Sequence, residues 1–136
     1  MLLKDLLADV PCIVETSGNM VVEIANLITD SREKTTDGLF FCIRGGTVDA
    51  HNFAPEAIEN GCVALVVDHF VDIDMPQVKV TSVRAAMSRM AAAYYDHPAE
   101  KMRLVGVTGT KGKTTTTYMI KSILETAGMK VGLIGT

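Results

Sequence analysis

The sequence predicts an α/β chain in two parts: a small α/β domain over residues 1–99, then the first βαβ unit of a phosphate-loop domain over residues 100–136. Three observations predict it. Short apolar runs of strand type alternate with segments whose apolar residues recur every three or four positions. Asp96-His97-Pro98 breaks the longer helical segment of the first part and sets a boundary near residues 96–101. Beyond it, the apolar Leu104-Val105-Gly106-Val107 runs into a glycine-rich turn and then into a second helical segment.

Each element has a local reason. Leu2, Leu3, Leu6 and Leu7 form one face of a short N-terminal helix. Met20 to Ile24 and Leu39 to Ile43 read as strands. Asn52-Phe53-Ala54-Pro55 starts a short helix, with Pro55 near its first turn and Gly61 as its stop. Val63 to Val67 is a continuous apolar run of buried-strand type, and Gln77 to Val80 is a further short strand. Ser82 is placed to cap a helix in which Val83, Ala86, Met87, Met90, Ala91 and Tyr94 make the apolar stripe. The two methionines of that stripe read as core. In the second part, Thr116 to Ala127 is helical with Met119, Ile120, Ile123, Leu124 and Ala127 on one face; Gly128 ends it, and Val131 to Ile134 is a strand.

Composition narrows the function. The chain has 136 residues, 48% hydrophobic and 21% charged, which is the balance of a soluble globular protein. A net charge of −3 without a basic stripe argues against nucleic acid as a partner. No apolar run approaches the roughly 20 residues of a membrane span. The N-terminus lacks the pattern of a signal peptide, so a cytoplasmic location is expected. Cys12, Cys42 and Cys62 are far apart, with no C-x-x-C pair, and suggest neither disulfides nor zinc; Cys42 and Cys62 read as small core residues. His51, His69 and His97 are not spaced as metal ligands, and each is expected at the surface or in a loop.

The turn Gly109-Thr110-Lys111-Gly112-Lys113-Thr114-Thr115 carries the chemistry. Its glycines let backbone N–H groups converge on phosphate oxygens, and the following helix adds its positive end. Lys113 is placed to reach the β- and γ-phosphates of a nucleoside triphosphate, and the Thr114 hydroxyl to meet Mg²⁺. The strict phosphate-loop pattern asks for glycine at the position held by Val107; Gly106 stands one residue earlier. Read alone, the segment is also an ordinary glycine turn capped by threonines. The flanking strand and helix favour the phosphate reading.

Gly106 to Thr116 resembles the ATP loop of the Mur ligases, which carries the same offset glycine. Upstream, Thr29-Asp30-Ser31-Arg32 followed by Asp37-Gly38-Leu39-Phe40-Phe41 resembles the Asp-Ser-Arg and Gly-x-Leu-Phe signature of the MurE branch. Gly45 to Phe53 and the Ala57…Gly61 pair continue that pattern, so the resemblance runs from about Leu3 to Thr136. It implies a MurE/MurF-type N-terminal α/β domain that binds the UDP end of UDP-N-acetylmuramoyl-dipeptide, followed by the truncated start of the central ATP domain. It further implies that Gly109 to Thr115 contact ATP, with Thr114 on Mg²⁺, and that Thr29, Ser31, Gly46, Thr47 and Val48 contact the UDP-linked substrate. Those substrate residues fall on turns expected at one end of the sheet. The implied reaction is addition of the third amino acid in peptidoglycan synthesis, through an acyl phosphate attacked by an amine.

The residues keep their plainer readings beside this one. Asp30-Ser31-Arg32 also reads as a polar turn with Asp30 or Ser31 capping backbone N–H groups; Arg32 can pair with Asp30 or Asp37 while Ser31 faces ligand. Lys111 replaces the asparagine usual in the family's loop and either adds charge at the phosphates or points to solvent. Alternative functions are another ligase of the superfamily, or a free-standing UDP-sugar-binding module without catalysis. The second part is too short to cover both faces of a parallel sheet, so the chain reads as a fragment without a complete catalytic set. Its expected unpaired edge over residues 104–134 predicts either a dimer or loose attachment.

Overall fold

The computed structural model describes residues 1–135, in two units: Met1–Lys101 and Met102–Thr136. In the first unit five strands form one mixed sheet: β1 (Ile13–Ser17), β2 (Asn26–Ile28), β3 (Gly38–Phe41), β4 (Cys62–Val67) and β5 (Gln77–Val80), in the order β1-β5-β4-β3-β2. β2, β3, β4 and β5 run parallel, and β1 pairs antiparallel with β5 at the edge. Helices α1 (Leu3–Leu6), α2 (Ala54–Glu59) and α3 (Val83–Tyr94) complete the unit, with 3₁₀ turns at Ala50–Phe53 and Pro98–Lys101.

Alternation along the strands makes two cores, because successive side chains point to opposite faces. Leu39, Phe41, Ala64, Val66, Val78 and Val80 face α1 and α3, where they meet Leu3, Leu6, Ala86 and Met90. Phe40, Cys42, Leu65 and Val67 face α2 and meet Ala54 and Ala57; Cys62 joins them across a register irregularity at the start of β4. β3 and β4 are covered on both faces, which is why their sequences are continuous apolar runs. Cys42 and Cys62 are buried in this second core, and burial pushes their thiols up to about 12 and about 11.

The strand expected at Met20–Ile24 does not form. Its backbone bonds the start of the chain instead, with Ile24 buried and Val21 exposed: Leu3 N donates to Val22 O and Ile24 N to Met1 O, with one isolated bridge between Leu2 and Glu23. Two strands take its place. β1 is an edge strand whose side chains are almost all exposed, and β2 has three residues, so neither carries an alternating apolar pattern. The N-terminal helix, the Pro55 helix ended by Gly61, and the helix capped by Ser82 form as the sequence leads one to expect.

In the second unit α4 (Lys113–Thr126) is the one regular element among the described residues, and it starts a turn earlier than the sequence suggests. The strands expected at Leu104–Val107 and Val131–Ile134 are not formed as ladders. A parallel strand needs a hydrogen-bonded neighbour, and neither segment has one. The edge from which a dimer was expected is therefore absent as a strand among the described residues. No described helix is long and apolar enough to cross a membrane.

Candidate functional site

Gly112 ends the glycine-rich turn in the left-handed conformation, at φ +75°, and is the N-cap of α4 without any side-chain cap. The first N–H groups of the helix, from Lys113 to Thr115, have no acceptor within the helix and lie at its positive end. Lys113 folds back, its Nζ donating to Gly109 O at 2.5 Å. Thr110, Lys111, Lys113, Thr114 and Thr115 are all exposed. A glycine-capped helix start with a lysine over its loop is an arrangement that receives anions.

In the first unit, Thr29 and Ser31 follow β2, and Gly46, Thr47 and Val48 follow β3. These strands are parallel neighbours, so both loops leave the same end of the sheet, the end where open α/β sheets bind ligands. The two loops differ in their surroundings. Thr29, Gly46, Thr47 and Val48 are exposed, whereas Ser31 is 9% exposed. The Ser31 hydroxyl donates to Glu56 Oε2 at 2.5 Å, and Asn60 Nδ2 donates to Ser31 O at 2.8 Å. α2 thus clamps the turn. With its proton committed to a carboxylate, the Ser31 oxygen offers lone pairs, which suit an N–H donor on a ligand better than a phosphate.

Arg32 pairs with Asp30, not Asp37: its Nη2 lies 2.6 Å from Asp30 Oδ2, and its backbone N–H also reaches Asp30 Oδ1. The Arg32 hydrogen bond holds the Asp30 carboxyl at about 2. The polar-turn reading of this segment therefore holds: Asp30 closes the turn, and the Ser31 hydroxyl faces α2. Glu56 and Asn60 went unread in the sequence because their partner lies far off in the chain.

A third grouping corrects the expectation for His51 alone among the histidines. His51 is buried, and the ligand atoms of Asp49, His51 and His69 lie within 4.8 Å of one another. The His51 Nδ1–H donates to Asp49 Oδ1 at 2.5 Å, and His51 Nε2 accepts from the Asp68 N–H at 3.2 Å. The His69 ring stacks on His51 at 4.2 Å, and His69 Nδ1 bonds the Asp68 carboxylate. Arg44 supplies the cation: its Nη2 is 3.1 Å from Asp68 Oδ1 and its Nε 3.7 Å from Asp49 Oδ2. The Arg44 guanidinium already lies against both carboxylates, so the trio reads as an ion-pair network and not as a metal centre. The hydrogen bonds from His51 hold Asp49 below the usual carboxylate range. Burial pushes the Asp68 carboxyl up, but the His69 hydrogen bond and the Arg44 guanidinium outweigh it and bring it below its ordinary value.

Comparison with known proteins places this geometry in a family. The model described as Mur ligase family, catalytic domain, matches residues 23–95. A UDP-N-acetylmuramoyl-L-alanyl-D-glutamate–2,6-diaminopimelate ligase of Clostridium acetobutylicum is 48% identical over 139 residues, covering 100% of this chain and 28% of the relative. The ligase of that name from Geobacillus thermodenitrificans is 45% identical over 137 residues, with the same shares of 100% and 28%. Among solved structures, MurF from Acinetobacter baumannii superposes with a TM-score of 0.73 at 28% identity, over 92% of this chain and 27% of that one. The chain thus spans about 28% of the length of the curated relatives it matches. With its mixed sheet, its glycine-capped helix and these matches, the chain belongs to the Mur ligase family.

Proposed function

We propose that the chain is the N-terminal part of a cytoplasmic, ATP-dependent ligase that adds the third amino acid to UDP-N-acetylmuramoyl-dipeptide in peptidoglycan synthesis. The names of its relatives support this reading and suggest 2,6-diaminopimelate as that amino acid. The observation that carries it is the start of α4, where Gly112 in the left-handed conformation and Lys113 over the loop suit the phosphates of a nucleotide. Residues 1–99 receive the UDP end of the substrate through Thr29, Ser31 and Gly46 to Val48. Residues 100–136 open the ATP domain, with Gly109 to Thr115 on the phosphates.

In this role Lys113 exchanges its bond to Gly109 O for one to a phosphate oxygen, and the helix N–H groups hold the rest. Mg²⁺, when bound, neutralises charge on the phosphates, and the exposed Thr114 hydroxyl in the first turn of α4 is the protein oxygen this chain offers it. ATP then phosphorylates the substrate carboxylate, and the amine displaces phosphate from the acyl phosphate. Phosphoryl transfer of this kind rests on positioning and charge neutralisation.

Two titrations test the reading. Calorimetry with MgATP should show weak binding to this chain that Lys113→Ala abolishes; unchanged binding in the variant would mean the loop is not the site. In NMR, UDP should shift the amides of Ser31 and Thr47 more than that of Met87, which lies on α3 across the sheet. Uniform shifts, or none at millimolar UDP, would defeat the substrate assignment. The chain alone should hydrolyse no ATP.

A further inference from the structure

The Gly45–Val48 loop is closed by few bonds of its own. Gly45 N donates to Val48 O at 2.8 Å, and Arg44 and Asp49 form an isolated bridge at its base. Gly46 has nothing within 4 Å of the place its Cβ would take, and Thr47 and Val48 are exposed. A loop of this kind keeps one shape only if its ends are fixed. Its C-terminal end, Asp49, is fixed by His51, which lies 5% exposed beneath it.

His51 can do this because both ring nitrogens are committed in one direction. The Asp68 backbone N–H can only donate, so His51 Nε2 must accept, and the ring proton must sit on Nδ1. That proton points at Asp49 Oδ1, which also takes the His51 backbone N–H at 3.0 Å. Asp68 follows directly on β4, a central strand buried on both faces. The sequence of contacts runs from the rigid end of β4, through the imidazole, to the base of the loop.

We propose that His51 is a positioning residue that latches the Gly45–Val48 loop to the end of β4, in the shape that receives the UDP end of the substrate. This rests on the assignment of that loop to UDP given above. The imidazole touches no ligand; it acts through Asp49.

Two variants separate this role from ordinary core packing. In His51→Asn the amide nitrogen falls near the place of Nδ1 and keeps the donor to Asp49, while the acceptor for the Asp68 N–H is lost. In His51→Gln the amide falls near the place of Nε2, keeping the Asp68 bond and losing the donor to Asp49. Each variant loses one buried hydrogen bond and the stack on His69, so their thermal midpoints should fall alike. The loop should respond to His51→Gln alone. Amide exchange at Gly45 should quicken by roughly tenfold, and the UDP dissociation constant should rise by roughly tenfold, both corresponding to one hydrogen bond. His51→Asn should stay within about threefold of the parent in both, a fraction of one bond. Equal exchange and equal affinity in His51→Gln and the parent would overturn the latch, as would equal damage in His51→Asn. Faster exchange with unchanged UDP affinity would overturn the positioning role. If the parent chain takes no UDP, the substrate assignment fails, and Gly45 exchange still decides whether the latch exists.

Discussion

At Gly61 the chain leaves α2 with φ +104°, and a Cβ built there would lie 2.0 Å from the Thr35 carbonyl oxygen. That oxygen belongs to backbone held in place by Thr35 N donating to Asn60 O, so it cannot swing aside. Gly61→Ala should therefore destabilise the first unit by about 2–4 kcal/mol, the combined effect of a strained φ and a steric clash, read as a lower urea midpoint. The Asp30–Arg32 pair makes a pH prediction. Asp30 titrates at about 2 against an ordinary 3.8, so its bond to Arg32 is fully present above 3.8 and is lost as pH falls through about 2. In an NMR titration the Asp30 carboxyl should show that low midpoint, and Arg32→Ala should return it towards 3.8. The pair is exposed, so its effect on overall stability should be slight.

Among the elements, α3 depends most visibly on its first residue. Ser82 Oγ accepts from Ala85 N at 3.3 Å, and the side chain is the cap the sequence leads one to expect. Ser82→Ala should cost about 1 kcal/mol, and Ser82→Asp should restore most of it, by thermal or urea unfolding. Elements of this kind were legible because their signals are local: a cap, a proline in a first turn, a glycine stop, a run of apolar residues under two layers. β1 and β2 were not, because an exposed edge strand and a three-residue strand owe their existence to neighbours distant in sequence. Met20–Ile24 misled in the opposite way, its backbone bonding Leu3 and Lys4 of α1 instead of a ladder. The candidate sites divide similarly. The phosphate loop announces itself in nine consecutive residues, Val107 to Thr115. Glu56 beneath Ser31, and Asp68 and His69 beside His51, are brought there by the parallel sheet and by nothing in their spacing.

Over the whole molecule, burial is concentrated in one unit. No residue of α4 is buried, and Tyr118, Met119 and Ile123 are each more than half exposed. β4, by contrast, is buried at five of six positions. Amide exchange should therefore report two stabilities: α4 should exchange on the order of a hundredfold faster than β4, because opening a helix with few buried contacts requires little disruption. Equal protection in the two elements would show that α4 is held by packing the described residues do not provide.

β1 lies at the edge of the sheet, and its sole ladder partner is β5, from Ile13 against Val80 to Ser17 against Gln77. β1 thus has no ladder partner until β5, which begins only at Gln77, has left the ribosome. β3 and β4, joined through α2 within one short stretch, can associate long before that. The centre of the sheet already has its pairs while β1 still lacks its own. Slow elongation beyond Val80 would give the pairing of β1 with β5 time before the phosphate loop emerges. A premature stop before Gln77 would release a sheet centre with an open edge, an invitation to aggregate.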